Sequence, residues 1–304
     1  MARLSVVISA FNSEDKIKDC LESVKWADEI IFVDNSSTDK TLDITKKYTS
    51  KIFIKTNNKM LNINKNFGFS KATSDWILSL DSDERVTPSL RDEIKNKISN
   101  IKNDDVNGYW IPRKNIIFGK WMQHTGWYPD HQLRLFRNGR GRFKEKHVHE
   151  MIEVEGETAY LNNNIVHYNY DTIIQFLSKM ANIYAPNEAE QMVAKGYVFS
   201  WRDAIRFPLG EFLSRFFARE GYRDGFHGLM LSILMAFYHF IVFANVWEMQ
   251  KFNDPTDDKL LDEVGSELDK SHKQIRFWSS KERIKQIKNP FKKALSILID
   301  KFRW

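Results

Sequence analysis

Residues 75–86 read DWILSLDSDERV. Trp76, Ile77, Leu78 and Leu80 form a short apolar run that suits a strand buried on both faces. The run then stops on three acids, Asp81, Asp83 and Glu84. Like charges this close repel each other. Two readings answer that: a solvated surface turn, or a strand end that holds something positive. The surrounding pattern decides between them.

Upstream, strand and helix signals alternate. RLSVVIS (3–9), EIIFVD (29–34) and KIFIK (51–55) are short and β-branched or aromatic, as strands are. Between them, EDKIKDCLESV (14–24) spaces Ile17, Leu21 and Val24 as a helix does, with Asn12 or Ser13 as its candidate cap. TDKTLDITKKY (38–48) reads as a second helix with Thr38 as candidate cap, and NKNFGFSKAT (64–73) as a short third. Pro88 opens a fourth, PSLRDEIKNKI (88–98). Strand–helix repetition predicts an α/β fold with a mostly parallel sheet flanked by helices and right-handed crossovers. Such sheets bind ligands beyond the carboxyl ends of their strands. Asn12 follows the first strand, Asp34 ends the second, and Asp81 and Asp83 follow the fourth, so all four are expected along one edge.

Composition supports a globular chain: of 304 residues, 42% are hydrophobic and 28% charged. The net charge of +6 is mostly a tail property, because residues 270–304 carry eleven Lys and Arg against two acids. No aromatic-interleaved basic groove is evident, and nucleic acid is not an expected partner. Cys20 is the single cysteine, which excludes an internal disulfide, fits a reducing compartment and suits a buried thiol. The N-terminal apolar run is broken by Ser5 and Ser9 and reads as a strand, not a signal peptide.

Three parts are expected. Residues 1–170 form the α/β domain, with a nucleotide-type half at 1–105 and a second half at 106–170. The latter is dense in aromatics, Arg and Gly from residue 108, the composition of a binding wall. Residues 171–250 are helical and apolar. Residues 251–304 combine a polar linker, 254–270, with a basic amphipathic tail. The run 228–246 approaches the about 20 apolar residues of a membrane span, yet Ser232, His239 and Asn245 interrupt it. It fits three placements: spanning, lying in the membrane interface, or packing and dimerising. The tail suits anionic lipid.

In DSD, carboxylates at i and i+2 can reach one hard cation, Mg²⁺ or Mn²⁺, with a diphosphate completing the shell. Asp34 can accept from a uracil N–H or a ribose hydroxyl. Taken in order, VVISAFNSED, IIFVDNSSTDKT and NKNFGFSKATSDWILSLDSDE resemble family 2 glycosyltransferases with the GT-A (Rossmann-like) fold. WYPDHQLRLFR, FKEKHVHE, IVHYNY and REGYRDGFHGL narrow the resemblance to the lipopolysaccharide core β-1,4-glucosyltransferase branch, over about residues 4–248.

That resemblance implies an inverting transfer of a hexose, glucose by preference, from a UDP-sugar to a lipid-linked saccharide. Ser9, Asn12 and Glu14 would line the base pocket and Asp34 would hold uracil or ribose. Lys65 and Asn66 would cradle the nucleotide. Asp81 would reach ribose or metal, and Asp83 the metal. Asn64 stands where the family often has Gln, a shorter amide. His147, His149 and His167 are candidate further metal ligands, His167 foremost. Inversion needs a base for the acceptor hydroxyl; Glu150 and Asp130 both qualify, and Glu150 matches the family's base position. Each could instead pair with an arginine such as Arg134. Arg134 and Arg137 are the leading candidates for phosphate or acceptor contacts. The expected place is cytoplasmic, peripheral on the inner face of the membrane, with the C-terminal helices available for a homo-oligomer. Alternatives within the fold are transfer to a polyprenyl phosphate or a peptide; outside catalysis, a nucleotide-sugar-binding protein.

Overall fold

A computed structural model of the chain describes residues 2–57, 61–99, 105–145, 150–253 and 259–301. Two compact units emerge: residues 1–121 with 128–169, and residues 122–127 with 170–304.

The first unit is built on β1 (Leu4–Ala10), α1 (Ile17–Val24), β2 (Glu29–Asp34), α2 (Thr41–Thr45), β3 (Ile52–Ile54), α3 (Leu61–Phe69) and β4 (Trp76–Leu80). It continues through β5 (Glu84–Val86), α4 (Pro88–Ser99), β6 (Val106–Ile117), β7 (Lys120–Trp121) and β8 (Asp130–Arg137). β9 (Gly141–Arg142), β10 (Glu153–Val154), β11 (Glu157–Tyr160) and β12 (Ile165–Tyr170) complete the strands. The main sheet runs β3-β2-β1-β4-β8-β6-β12-β5, with β7 and β11 also on β6. The first four strands are parallel, and β8 enters antiparallel to β4 and β6. β9 and β10 form a separate ribbon.

Every residue of β1, β2 and β4 is buried, because helices cover both faces. Alternation assigns the faces. Val6 and Ile8 pack with Ile17, Leu21 and Val24 of α1, while Val7, Ile31 and Ile77 pack with Phe69, Phe136 and Phe143 on the other side. Gly68 lets α3 come close: a Cβ there would lie 2.5 Å from Val7 Cγ1. That approach fixes Lys65 and Asn66, about one turn earlier, beside the strand ends.

The expected caps shift. Asn12 has φ of 45°, and its Oδ1 accepts from the Thr38 backbone at 2.8 Å, stitching two loops together instead of capping α1. Lys40, not Thr38, stands at the cap position of α2, and the Asp39 carboxylate just before it accepts the Thr41 backbone N–H at 3.0 Å. Thr87 receives the Leu90 N–H at the start of α4.

In the second unit, α5 (Ile173–Lys179) opens with a capping box of Thr172 and Gln175. It passes through a π-turn into α6 (Ala185–Ala194), and is followed by α7 (Asp203–Leu213), α8 (Phe226–Met249), α9 (Leu260–Gln286) and α10 (Pro290–Lys301). Residues 260–270 are therefore helix, not linker: Arg206 pairs with Glu267 at 2.6 Å and Arg202 with Glu263 at 2.6 Å, docking α9 on α7. Gly228 permits the turn before α8 to close on it, since a Cβ would sit 1.8 Å from the Gly221 carbonyl oxygen. The buried Asp224 carboxylate accepts the backbone N–H groups of His124, at 2.8 Å, and Gln123. This ties 122–127 to the helices although the sequence places it inside the α/β domain.

α8 is long and apolar enough to cross a membrane by length and composition, with 44% of its most apolar stretch buried. Leu231, Met235, Tyr238, Val242 and Val246 face inward. Phe226, Ile233, Phe237, Phe240 and Trp247 form an exposed stripe along one side. α10 is amphipathic too, with Phe291, Leu295 and Leu298 exposed beside Lys292 and Lys293.

Candidate active site

The carboxyl end of β4 carries the answer to the acid cluster. Lys65 Nζ sits 2.6 Å from Asp81 Oδ1, and Arg134 Nη2 donates to Asp81 Oδ2 at 2.6 Å. Glu84 is fully buried in β5. Its Oε1 accepts from Arg134 at 3.0 Å, and Arg113 Nη1 lies 3.5 Å from the same oxygen. Its Oε2 accepts the Asp81 backbone N–H at 3.0 Å. Protein cations thus offset the repulsion. Burial works against ionising Asp81, but Arg134 and Lys65 outweigh it and hold the carboxyl well below the usual carboxylate range. Burial likewise opposes charge on Arg134, and Asp81 and Glu84 raise its pKa nonetheless.

Asp83 faces a different partner. His167 of β12 places Nε2 3.6 Å from Asp83 Oδ2, while its Nδ1 is 2.7 Å from Asn115 Oδ1. The Asn115 amide nitrogen donates to Asp130 Oδ2 at 3.1 Å. With Nδ1 occupied, Nε2 is the ring atom left to face the carboxylate. A carboxylate oxygen and an imidazole nitrogen 3.6 Å apart form a donor pair suited to a divalent cation, the outer nitrogen being held by a hydrogen bond as in metal-bound histidines. Among the described residues, no three His, Cys, Asp or Glu side chains group for metal binding. A cation held by this pair would draw its remaining ligands from a diphosphate and water. Asp81 carries a protein cation at each oxygen, Lys65 at Oδ1 and Arg134 at Oδ2.

The nucleotide-side candidates lie at the ends of β1 and β2 and on α3. Asp34 is buried; its Oδ2 accepts from the Ser37 backbone at 3.0 Å, and its Oδ1 is buried with no hydrogen-bond partner. An orphaned buried acceptor costs stability unless something donates to it. Ser9 pairs with Asn35, and Asn35 in turn accepts from Asn64 at 2.7 Å. Glu14 accepts from the Lys40 backbone. Asn66 clamps the loop after β9, bonding the Phe143 backbone in both directions and Glu145 at 2.7 Å. Ser9, Asn12, Glu14 and Asn66 are thus engaged in holding the edge together.

Several sequence assignments change. Arg134 was expected on a phosphate, but it is 6% exposed and committed to Asp81 and Glu84. Arg137 lies at the opposite end of the sheet: antiparallel pairing sets it across from Trp76, whose ring its guanidinium covers at 4.9 Å. Asp130 bonds both Nε and Nη2 of Arg113, at 2.9 and 2.6 Å, and Gln132 at 3.0 Å. Burial raises its pKa, but Arg113, Asn115 and Gln132 bring it below the ordinary value, which makes it a weak base. Glu150 accepts the Glu145 backbone N–H at 2.7 Å, on the loop that Asn66 holds. His147 and His149 lie outside the described residues. Arg113 and Asn115, in PRKN, escaped notice; their i, i+2 spacing on a strand was the available signal.

A family model for Glycosyl transferase family 2 matches residues 5–159, about half the chain. The chain belongs to this family. As a family 2 glycosyltransferase, it carries the GT-A fold in its sheet and flanking helices, and it is an enzyme. An uncharacterised glycosyltransferase of Rickettsia typhi is 29% identical over 260 residues, covering 82% of this chain and 88% of the relative. The lipopolysaccharide core biosynthesis glycosyltransferase LpsC of Rhizobium meliloti is 26% identical, covering 84% and 97%. Among solved structures, Staphylococcus aureus TarS residues 1–349 aligns with 85% of this chain and 94% of that one, at 14% identity and a TM-score of 0.43.

Proposed function

We propose that the enzyme transfers a hexose, glucose by preference, from a UDP-sugar to a lipid-linked saccharide of a surface glycan, with inversion and with Mg²⁺ or Mn²⁺ bound at Asp83 and His167. The observation that carries this is the pair itself, a carboxylate oxygen and an imidazole nitrogen 3.6 Å apart beside the nucleotide edge. A bound cation would supply charge stabilisation for the departing diphosphate. The buried Asp34 Oδ1 supports uracil as the base, since its N3–H is a donor of the kind that atom lacks. Lys65, already on Asp81 at the strand end, is the cation this reading sets against phosphate charge.

Glu150 takes the acceptor proton in this reading. Its carboxylate accepts that proton as the hydroxyl oxygen bonds to the anomeric carbon and the carbon–oxygen bond to UDP breaks. Asp130, held by Arg113, is less suited. The lipopolysaccharide assignment of the Rhizobium relative supports a lipid-linked acceptor. So does the exposed apolar stripe of α8, with the basic α10, as a surface for anionic lipid on the cytoplasmic leaflet.

The test is UDP release from a panel of UDP-sugars, with and without extracted lipid-linked saccharide, and with EDTA. Acceptor-stimulated, EDTA-sensitive release that Asp83→Ala abolishes is expected. Turnover indifferent to EDTA would sink the metal assignment, and turnover only with GDP- or CDP-sugars would sink the donor.

A further inference from the structure

Asp130 fails as a free base, yet every one of its contacts is ordered. Oδ2 accepts from Arg113 Nη2 at 2.6 Å and Nε at 2.9 Å, and from Asn115 Nδ2 at 3.1 Å. Oδ1 accepts from Gln132 at 3.0 Å. An ionised carboxylate only accepts hydrogen bonds. Asn115 must therefore turn its NH₂ toward Asp130. Its carbonyl oxygen then faces His167 Nδ1, 2.7 Å away. That oxygen also only accepts, so Nδ1 must carry the hydrogen. In the neutral ring the lone pair is left on Nε2, 3.6 Å from Asp83. Asn115 has no exposed surface, so bulk water does not compete for its amide.

We propose that Asp130 is a positioning residue: through Asn115 it fixes the tautomer of His167 and presents Nε2 as an electron-pair donor to the divalent cation beside Asp83. The inference rests on the metal reading above. Three strands carry the chain of constraint: Asp130 opens β8, Asn115 stands on β6 and His167 on β12. Arg113, opposite Asp130 in the β6–β8 register, keeps the first member charged. An amide at position 130 would not lift the constraint, because Arg113 would hold its oxygen where Oδ2 now accepts from both Arg113 and Asn115. Removing the acceptor oxygen, as in Asp130→Leu, would lift it. Asn115 could then flip and donate to Nδ1, and Nε2–H would donate to Asp83. The same side chains would form a closed hydrogen-bonded string with no lone pair for a cation.

The experiment uses the full chain at about pH 8, where an ordinary imidazole is neutral. It reads ¹⁵N shifts of the His167 ring in metal-free protein, and Mn²⁺ affinity in the presence of UDP by electron paramagnetic resonance. Wild type should show a protonated Nδ1. Asp130→Leu should shift the ring toward protonated Nε2 and weaken Mn²⁺ binding about 10–100-fold, while Asp130→Asn, whose amide oxygen Arg113 would hold facing Asn115, keeps both. Asn115→Leu leaves the Asp130–Arg113 pair in place and should release the tautomer in the same way, which covers the case of an unfolded Asp130→Leu. If His167→Ala abolishes Mn²⁺ binding but Asp130→Leu or Asn115→Leu leaves tautomer and affinity unchanged, the positioning role is overturned and the metal reading stands. If wild type binds no Mn²⁺, both fall.

Discussion

Glu84 Oε2 accepts the backbone N–H of Asp81 at 3.0 Å. A buried acid three residues along thus sets the backbone that presents the first aspartate, and shares Arg134 with it. The turn that looked overcharged is a clamp with its cations built in. Replacing Arg134 by Met would remove the cation the two carboxylates share, leaving Asp81 with Lys65 and Glu84 with the more distant Arg113. Unfolding free energy should fall by about 3–5 kcal/mol, read from urea denaturation. Loss of donor affinity at unchanged stability would restore the phosphate-contact reading.

Acid should loosen the same clamp. Asp81 and Asp130 are held below the ordinary carboxylate value in the folded chain, and Glu29, buried but bonded by Lys51, Ser5 and Thr73, is lowered to about 2. As pH falls, the unfolded chain takes up these protons first. Stability from this source is complete above about pH 4–5 and is lost as pH drops through the lowered values. Urea midpoints at pH 7, 5 and 3.5 should therefore fall only at the acid end, and more shallowly for Asp81→Asn. Parallel curves for mutant and wild type would contradict the assignment.

The helical unit has its own sensitive point. Gly228→Ala places a methyl group 1.8 Å from the Gly221 carbonyl oxygen, where only backbone movement relieves the overlap. A loss of about 1–3 kcal/mol or more is expected, seen in calorimetry as a lower melting temperature. An unchanged melting temperature would mean that the turn before α8 is not packed this closely.

Membrane binding should follow the exposed stripe. Phe237→Glu with Phe240→Glu is expected to reduce co-sedimentation with phosphatidylglycerol vesicles several-fold while UDP-sugar hydrolysis without acceptor is kept. A change in oligomeric state with vesicle binding intact would instead make the stripe a contact between copies of the chain.

Much of the first unit was legible from pattern alone. Buried parallel strands are continuous apolar runs, and Ile17, Leu21 and Val24 repeat at helical spacing, so the positions of Asp34 and Asp81 at strand ends followed. Pairing across strands was not legible. Nothing local in RLFR says that Arg134 reaches Asp81 while Arg137 covers Trp76; the antiparallel entry of β8 decides that. Glu84 resisted for the same reason, because its partners come from β6 and β8. The polar start of α9 was taken for linker since its fixing contacts, Glu263 and Glu267, are ion pairs to a helix some sixty residues away.

The hold of Asp224 on residues 122–127 bears on how the protein can be cut. The two units are not separated by one break in the chain, since a six-residue span between β7 and β8 belongs with the helices. A fragment ending near residue 170 would leave the backbone N–H groups of Gln123 and His124 without their carboxylate, on the span that leads into Asp130. Isolating the sugar-nucleotide half therefore calls for rebuilding that span, and a stop codon alone would yield an incomplete piece.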